Sequence, residues 1–170
     1  MSRRIITRKH PGDANLSLTM PRELPTANEL RLSFFASDKP DAIESARQLK
    51  QRYGDHRVDD CDVIVAVGGD GFMLDVLRTH MTCDKPIYGF NRGTVGFMMN
   101  DADIDGLSER IAESEPTTIH PLVMKATTIT GEVKTAKAIN EISLFRETRQ
   151  SARIRISING RVRMESLTCD

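Results

Sequence analysis

The feature that most constrains the fold is the glycine turn Gly68-Gly69-Asp70-Gly71, which separates two apolar stretches. Before it, the valine-rich segment 63–67 is short and bounded by glycine, which is typical of a buried strand. After it, apolar residues recur at helical spacing and predict a helix to about His80. These apolar residues are Met73, Val76, Leu77 and Met81. The sequence therefore predicts a strand, a glycine turn and a helix in direct succession.

Asp70 is the unusual residue of this turn. The glycines Gly68, Gly69 and Gly71 let a phosphate approach the backbone, and free N–H groups at the start of a helix attract anions. A carboxylate at the same place opposes anion binding, so we interpret Asp70 as chemically active. It could take a proton from an attacking hydroxyl group or reach a metal ion held by phosphates. The alternative is an ordinary glycine turn in which Asp70 caps the helix, and four residues do not separate the two.

The pattern around the turn predicts an α/β domain with a parallel sheet. A strand over 31–36 precedes a helix that has Ser37 or Asp38 as its cap and ends at Gly54. The apolar residues of this helix recur at helical spacing and are Ile43, Ala46, Leu49 and Tyr53. The valine-rich strand, its helix and a short strand over 87–90 continue the alternation, which is typical of parallel strands connected by helices. Ligands bind at the carboxyl ends of such strands, where the glycine turn lies.

A second glycine-bearing loop, from Asn91 to Phe97, follows the strand over 87–90 directly. Taken alone, Gly93 and Gly96 would be plain turn residues. Two such loops on consecutive parallel strands should face the same crevice. The pair therefore favours a nucleotide-type site.

After a short helix over 103–114, the periodicity changes from helical to alternating. Strands with tight connections are predicted over 117–130, 133–145, 152–158 and 161–168. We expect a flexible tail over 1–30, an α/β domain over 31–102 and an incomplete β-rich domain over 103–170. The boundary would lie somewhat later if the short helix belongs to the first domain.

The Asn159-Gly160 turn allows a prediction of register. Apolar faces match across the turn if the loop has three residues, 158–160. In that register Ile156 lies opposite Val162, and Ile154 lies opposite Met164.

A polar pair, Asn140-Glu141, interrupts the otherwise apolar segment 138–145, which lies in the last of the strand-like part 133–145. An amide beside a carboxylate offers donors and acceptors that suit a ribose diol or an amide. The alternative is a polar pair at a sheet edge without a ligand.

Composition excludes several classes of protein. Lys plus Arg and Asp plus Glu both number 24, so the chain lacks the basic surplus of a nucleic-acid-binding protein. Three cysteines without a CxxC pair indicate neither a disulfide framework nor a zinc site and fit a reducing cytoplasm. The apolar runs are too short to span a bilayer, and the N-terminus has no apolar segment of signal-peptide length.

Taken together, the segments GGDGFML, NRGTVGFMMN and AINEISLFRETRQSARIRISING and the final LTCD resemble the NAD kinase family, over roughly residues 32–170 and in the family's order. The resemblance is closest to the bacterial, alphaproteobacterial type. GGDG is shared with diacylglycerol and sphingosine kinases, but the second loop followed by Asn140-Glu141 is more specific. The alternatives are a lipid kinase of the diacylglycerol or sphingosine type and an inactive nucleotide-binding fragment.

The resemblance implies an α/β domain followed by a β-rich domain, and phosphorylation of the adenosine ribose 2′-hydroxyl of NAD by ATP or polyphosphate with Mg²⁺. It implies that Asp70 is the proton acceptor and that Gly68, Gly69 and Gly71 form the phosphate loop. Gly71 and Asp70 would also contact NAD. The remaining implied NAD contacts are Phe97 at the adenine, Asn140 and Glu141 at the nicotinamide-side ribose, and Asp170. It also implies a homo-oligomer, a dimer or tetramer, without nucleic-acid or membrane partners.

This sequence departs from the family pattern in two places. Phe72 stands where many members have threonine, which should change only packing. The family continues past the acid matched by Asp170 with a glycine and a Thr-Pro-x-Gly-Ser-Thr-Ala-Tyr segment. We therefore expect that residues 1–170 alone neither fold fully nor phosphorylate NAD efficiently.

Overall fold

The computed structural model describes residues 4–8, 24–94 and 96–169. The chain divides into two compact units, and the boundary lies between Asn140 and Glu141. In chain order the first unit contains β1 (Arg4–Arg8), β2 (Leu32–Ala36), α1 (Pro40–Tyr53), β3 (Val63–Gly68), α2 (Asp70–Thr79), β4 (Ile87–Asn91), α3 (Leu107–Ala112), β5 (Glu115–Ile119), β6 (Leu122–Thr127) and β7 (Val133–Ala138). The second contains β8 (Ala152–Ile158) and β9 (Arg161–Cys169).

The main sheet has five strands in the order β2-β3-β4-β1-β5. The pairs β2–β3 and β3–β4 are parallel, with Leu32 opposite Val63 and Ile64 opposite Ile87. This confirms the predicted α/β class with a parallel sheet followed by β-rich strands. β1 is antiparallel to β4 and parallel to β5.

The expected flexible tail over 1–30 is wrong for two of its described parts. Arg4–Arg8 form a strand between β4 and β5, and Leu30 is buried in the core. A five-residue strand has too few residues to show a periodicity, and its partners lie about eighty and a hundred residues later in the chain. Residues 9–23 lie outside the described residues.

Both faces of the parallel strands are covered, which explains the uninterrupted valine-rich run of β3. Val63, Val65 and Val67 pack in one core cluster with residues of α1 and α3. Ile64 and Ala66 pack in a second cluster with residues of α2. A strand buried on both faces has no polar alternation, as β3 shows.

Helix α1 begins and faces the core differently from the prediction. Lys39 precedes its first residue, Pro40, and no side chain caps it, so the prediction of Ser37 or Asp38 as the cap is wrong. Its buried residues are Ala42, Ser45, Ala46 and Leu49, whereas the predicted Ile43 is 54% exposed. Gly54 ends the helix at φ +76°, which favours glycine, as predicted.

Helix α3 belongs to the first compact unit. Leu107 and Ile111 lie in the core cluster of β2, β3 and α1. The Tyr53 hydroxyl accepts the Leu107 N–H at 3.1 Å and donates to the Ile104 carbonyl at 2.7 Å. The boundary expected at 102/103 therefore falls inside a unit, and the later alternative agrees with this packing.

The β-rich strands are shorter than predicted. The segment 117–130 falls into β5 and β6, which are separated at His120 and Pro121, and β7 ends at Ala138 rather than at residue 145. β6 and β7 are antiparallel, and Gly131 lies between them at φ +83°. A turn over 129–131 thus makes the tight connection predicted between these two strands.

The three-residue loop predicted over 158–160 is wrong. Ile158 pairs with Arg161, so Asn159 and Gly160 form a two-residue turn with φ +51° and +74°. A two-residue turn with positive φ at both positions matches the twist of the paired strands, and the sequence Asn-Gly favours this type of turn. Register shifts on either side of Ile156 in β8 bring Ile156 opposite Met164. The apolar residues therefore come opposite each other through register shifts inside β8, and not through a third residue in the loop.

An ion pair connects the residues just before β2 and β3, with the Asp62 side chain buried and the Arg31 side chain 49% exposed. The Arg31 Nε and Nη2 groups donate to the two Asp62 carboxylate oxygens at 3.1 and 3.0 Å, and the Arg31 backbone N–H donates to Oδ2 at 3.0 Å. Asp62 is 7% exposed. The hydrogen bonds from Arg31 compensate the buried negative charge of Asp62. The side-chain hydrogen bond to Asp62 also raises the pKa of Arg31.

Asp62→Asn is expected to destabilise the fold by about 1–3 kcal/mol, because a buried amide NH₂ then faces the donors of Arg31. The measurement is thermal unfolding followed by circular dichroism. Glu44→Gln is the control, since Glu44 pairs with Arg47 at 2.8 Å on the exposed side of α1 and water can replace the lost bond. Equal changes in Tm for the two variants would contradict the prediction.

Candidate functional site

The glycine turn has the predicted strand-to-helix geometry. Gly68 ends β3, Gly69 has extended backbone with φ −118° and ψ −176°, and Asp70 is the first residue of α2. The Met73 N–H donates to the Gly69 carbonyl at 3.0 Å and closes the first helical turn. Gly69, rather than Asp70, therefore occupies the capping position. The alternative in which Asp70 is an ordinary cap is wrong.

The second glycine loop lies against the first, as predicted. The Arg92 N–H donates to the Gly68 carbonyl at 2.7 Å, one residue beyond the last pair of β3 and β4. A methyl group placed on Gly93 would lie 3.3 Å from the Gly69 Cα, so the two loops are in close backbone contact. The Asn91 side-chain oxygen accepts a hydrogen bond from the Gly93 N–H at 3.0 Å, which fixes the turn from Asn91 to Gly93.

The carboxylate of Asp70 is held by backbone N–H groups of this second loop. The Phe97 N–H donates to Oδ2 at 2.8 Å, and the Met98 N–H donates to Oδ1 at 3.1 Å. Each oxygen thus accepts one bond from a segment 27 or 28 residues away in the chain. The bonds place a fixed, ionisable group at the N-terminus of α2, where the ends of β3 and β4 meet.

The segment after Phe97 is attached to the sheet through β4. The Asn100 N–H donates to the Gly89 carbonyl at 2.9 Å, and its side-chain amide donates to the same oxygen at 3.1 Å. In return the Asn91 N–H donates to the Asn100 carbonyl at 3.0 Å. These bonds connect the N–H donors of Asp70 to the sheet.

Arg92 supplies a cation on this loop that the sequence argument did not single out. Its Nε–H donates to the Ser45 hydroxyl at 2.5 Å, and its guanidinium lies 5.3 Å from the centre of the Phe90 ring. The Ser45 hydroxyl in turn donates to the Asp41 carbonyl at 2.7 Å. Arg92 therefore ties the loop to α1. The feature of the sequence that could have identified Arg92 is its place directly after a parallel strand.

The model of the ATP-NAD kinase N-terminal domain family matches residues 5–114, which include both glycine loops and Asp70. The chain belongs to the NAD kinase family.

Curated relatives agree with this family. The chain is 54% identical over 141 residues to an NAD kinase of Hyphomonas neptunium, a match that covers 83% of this chain and 55% of the relative. It is 52% identical over 140 residues to an NAD kinase of Caulobacter vibrioides, covering 82% of this chain and 54% of the relative. The chain spans about half the length of the curated relatives it matches. These alphaproteobacterial relatives confirm the predicted resemblance.

Two residues that the NAD kinase resemblance assigns to NAD border open space. The Phe97 side chain is 96% exposed although its backbone holds Asp70. Gly71 is exposed, and a methyl group placed on it would have no neighbour within 4 Å. The fold itself therefore does not require glycine at position 71.

The other residues assigned through the NAD kinase resemblance lie apart from the turn in the chain. Asn140 and Glu141 are exposed and follow the end of β7, so their predicted place inside a strand is wrong. Asn140 follows Ile139, which packs against the core cluster containing Met73 of α2. Glu141 is the first residue of the second unit. Asp170 lies outside the described residues.

Over the described ranges, no group of three or more His, Cys, Asp or Glu side chains is arranged to hold a metal ion. Within the same ranges, no helix is long and apolar enough to cross a membrane.

Proposed function

We propose that this chain carries the catalytic base of an NAD kinase, which transfers a phosphoryl group from ATP or polyphosphate to the 2′-hydroxyl of the adenosine ribose of NAD. The observation that carries the proposal is the Asp70 carboxylate. It lies at the N-terminus of α2 and is fixed by two N–H groups from the loop after the neighbouring strand. Family membership supports this reading, and no observation favours a lipid kinase.

Asp70 has the capacity to act as a general base while it is held. A carboxylate offers about four acceptor positions, and the Phe97 and Met98 N–H groups use two of them. A further lone pair can accept the hydrogen of the attacking ribose hydroxyl. Phosphoryl transfer depends mainly on positioning and on stabilising charge, so a fixed base is a suitable contribution from the protein.

The turn around Asp70 also suits the phosphates of the donor. Gly68, Gly69 and Gly71 provide backbone without side chains, and the first N–H groups of α2 point toward this end of the sheet. We assign these glycines to the phosphate loop. Helix dipole and backbone donors offset the repulsion between the phosphates and Asp70.

We propose that Mg²⁺ enters the site with ATP. Magnesium is commonly bound by one or two carboxylates together with substrate phosphates rather than by a protein cage. Asp70 is the carboxylate of the glycine turn that would be closest to such an ion. When bound, the ion neutralises charge on the phosphates.

The NAD contacts are proposed from the family pattern and from exposure. Phe97 would line the adenine site and Gly71 would leave room for the ribose. Asn140 and Glu141 would hold the nicotinamide-side ribose or nearby groups, and Asp170 would contact the dinucleotide. The first four residues are exposed and accessible to a ligand. We also propose a cytoplasmic homo-oligomer, a dimer or tetramer.

The test compares two proteins. One is the 170-residue chain, and the other joins it to the part of the Hyphomonas neptunium relative that the chain does not cover. Both are assayed for NADP formation from NAD with ATP and Mg²⁺, with polyphosphate as a second donor. We expect the joined protein to form NADP and to leave diacylglycerol and sphingosine unphosphorylated.

The same assay separates the alternatives. Nucleotide binding without NADP formation by both proteins would support the inactive-fragment reading and contradict the proposal. Phosphorylation of a lipid in place of NAD would favour the lipid kinase. The 170-residue chain alone is expected to turn over slowly, because the described part of the second unit pairs β8 with β9 as a two-stranded sheet. A two-stranded sheet by itself is marginally stable in water.

A further inference from the structure

Gly96 lies immediately before the two N–H donors of Asp70, and the carboxylate occupies the space that a side chain there would need. A methyl group placed on Gly96 would lie 2.6 Å from the Asp70 Cγ and 2.8 Å from Oδ2. Real Cβ atoms do not approach so closely, so the carboxylate or the loop would have to move.

The two hydrogen bonds make this contact directional. They come from consecutive N–H groups and reach different oxygens of one carboxylate, which fixes both its position and its rotation. A side chain at position 96 would push the carboxylate away from both donors at once. Lack of a Cβ at Gly96 is thus a condition for the observed orientation of Asp70.

We propose that Gly96 is a positioning residue that acts through Asp70, together with the backbone N–H groups of Phe97 and Met98. This inference rests on the proposed function, in which Asp70 is the base. A base must present its free lone pair to the hydroxyl group in one direction, and a displacement of about 1 Å can lower turnover about a hundredfold. The glycine therefore sets the reactivity of a residue 26 positions earlier in the chain.

A double-mutant cycle tests the coupling, with Gly96→Ala, Asp70→Ala and the double variant. In the joined protein, Gly96→Ala is expected to lower Tm by roughly 4 °C or more, because the methyl group collides with the carboxylate. In the Asp70→Ala background the same substitution should change Tm by less than about 1 °C, since the collision partner is gone. The amide NMR signals of Phe97 and Met98 should shift in both single variants.

The kcat of the joined protein is a second readout, and it would not change if Gly96 had a purely structural role. In the joined protein, Gly96→Ala should lower kcat about a hundredfold and change KM for NAD by less than about threefold, because it displaces the base and not the dinucleotide. Combined with Asp70→Ala it should cause no further loss of kcat. Thr94→Ala, an exposed change in the same loop, should leave kcat within about twofold.

The outcomes distinguish this inference from the proposed function. Additive effects of Gly96→Ala and Asp70→Ala on Tm would overturn the positioning role, whatever the activity. Normal turnover of Gly96→Ala would also overturn it. Normal turnover of Asp70→Ala would instead remove Asp70 as the base and so overturn the proposed function, even if the cycle in Tm were non-additive.

Discussion

Asp70→Asn in the joined protein is expected to lower kcat for NADP formation by about a hundredfold or more, with little change in the affinity for NAD. An amide cannot take the proton of the ribose hydroxyl. It also presents an NH₂ group to a backbone N–H at one of the two positions that now accept from Phe97 and Met98. Base function and orientation are therefore lost together.

The matched control for this prediction is Asp75→Asn on the same helix. Asp75 is exposed and accepts a hydrogen bond from Arg78 at 3.2 Å within α2. Among the described residues its hydrogen bond stays within the helix, unlike those of Asp70, so kcat should stay within about twofold. Steady-state kinetics of both variants with varied NAD give kcat and KM separately. Near-normal turnover of Asp70→Asn would remove this residue from the mechanism.

Local sequence patterns predicted the part of the site that depends on short-range structure. The apolar run before Gly68 and the helical spacing after Gly71 are enough to predict a strand, a turn and a helix. Parallel strands place their carboxyl ends at one edge, so the meeting of the Gly69 and Gly93 loops also followed from the pattern. These predictions needed only local periodicity and the rule for parallel sheets.

The contacts that hold Asp70 could not be predicted in the same way. The donors are backbone N–H groups of Phe97 and Met98, and a backbone N–H leaves no mark on residue identity. Gly96 looked like a turn glycine because the carboxylate that fills its space lies far earlier in the chain.

Long-range strand pairing limited the prediction elsewhere. β1 pairs with β4 and β5, whose residues are distant in sequence, so its five residues resembled a tail. In the β8–β9 hairpin, apolar matching assumed a regular ladder, whereas register shifts around Ile156 place the irregularity inside the strand. Both errors arise from pairing that residue pattern alone does not encode.

Gly89→Ala is expected to destabilise the first unit by about 1–3 kcal/mol and to lower kcat of the joined protein about tenfold or more. A methyl group on Gly89 would lie 2.7 Å from the Met98 carbonyl oxygen and 2.8 Å from the Met99 sulfur. The obstacle includes backbone, so rotation of a side chain cannot relieve it. The segment must move away from β4, which strains the bonds between Asn100 and Gly89. Because Met98 also donates to Asp70, the displacement reaches the carboxylate.

Gly71→Ala is the control for stability, because the same glycine-to-alanine change should raise the stability of the fold at position 71 and lower it at position 89. Its methyl group meets no atom within 4 Å and lies in the first turn of α2, so alanine should stabilise the chain by up to about 1 kcal/mol. Thermal unfolding of both variants by circular dichroism measures the difference, and amide exchange at Met98 and Asn100 reports whether the segment has moved. If Gly89→Ala unfolds at the Tm of the unmodified chain, the segment does not pack against β4 as described. Loss of stability with unchanged kcat would show that the sheet does not hold Asp70 through Met98.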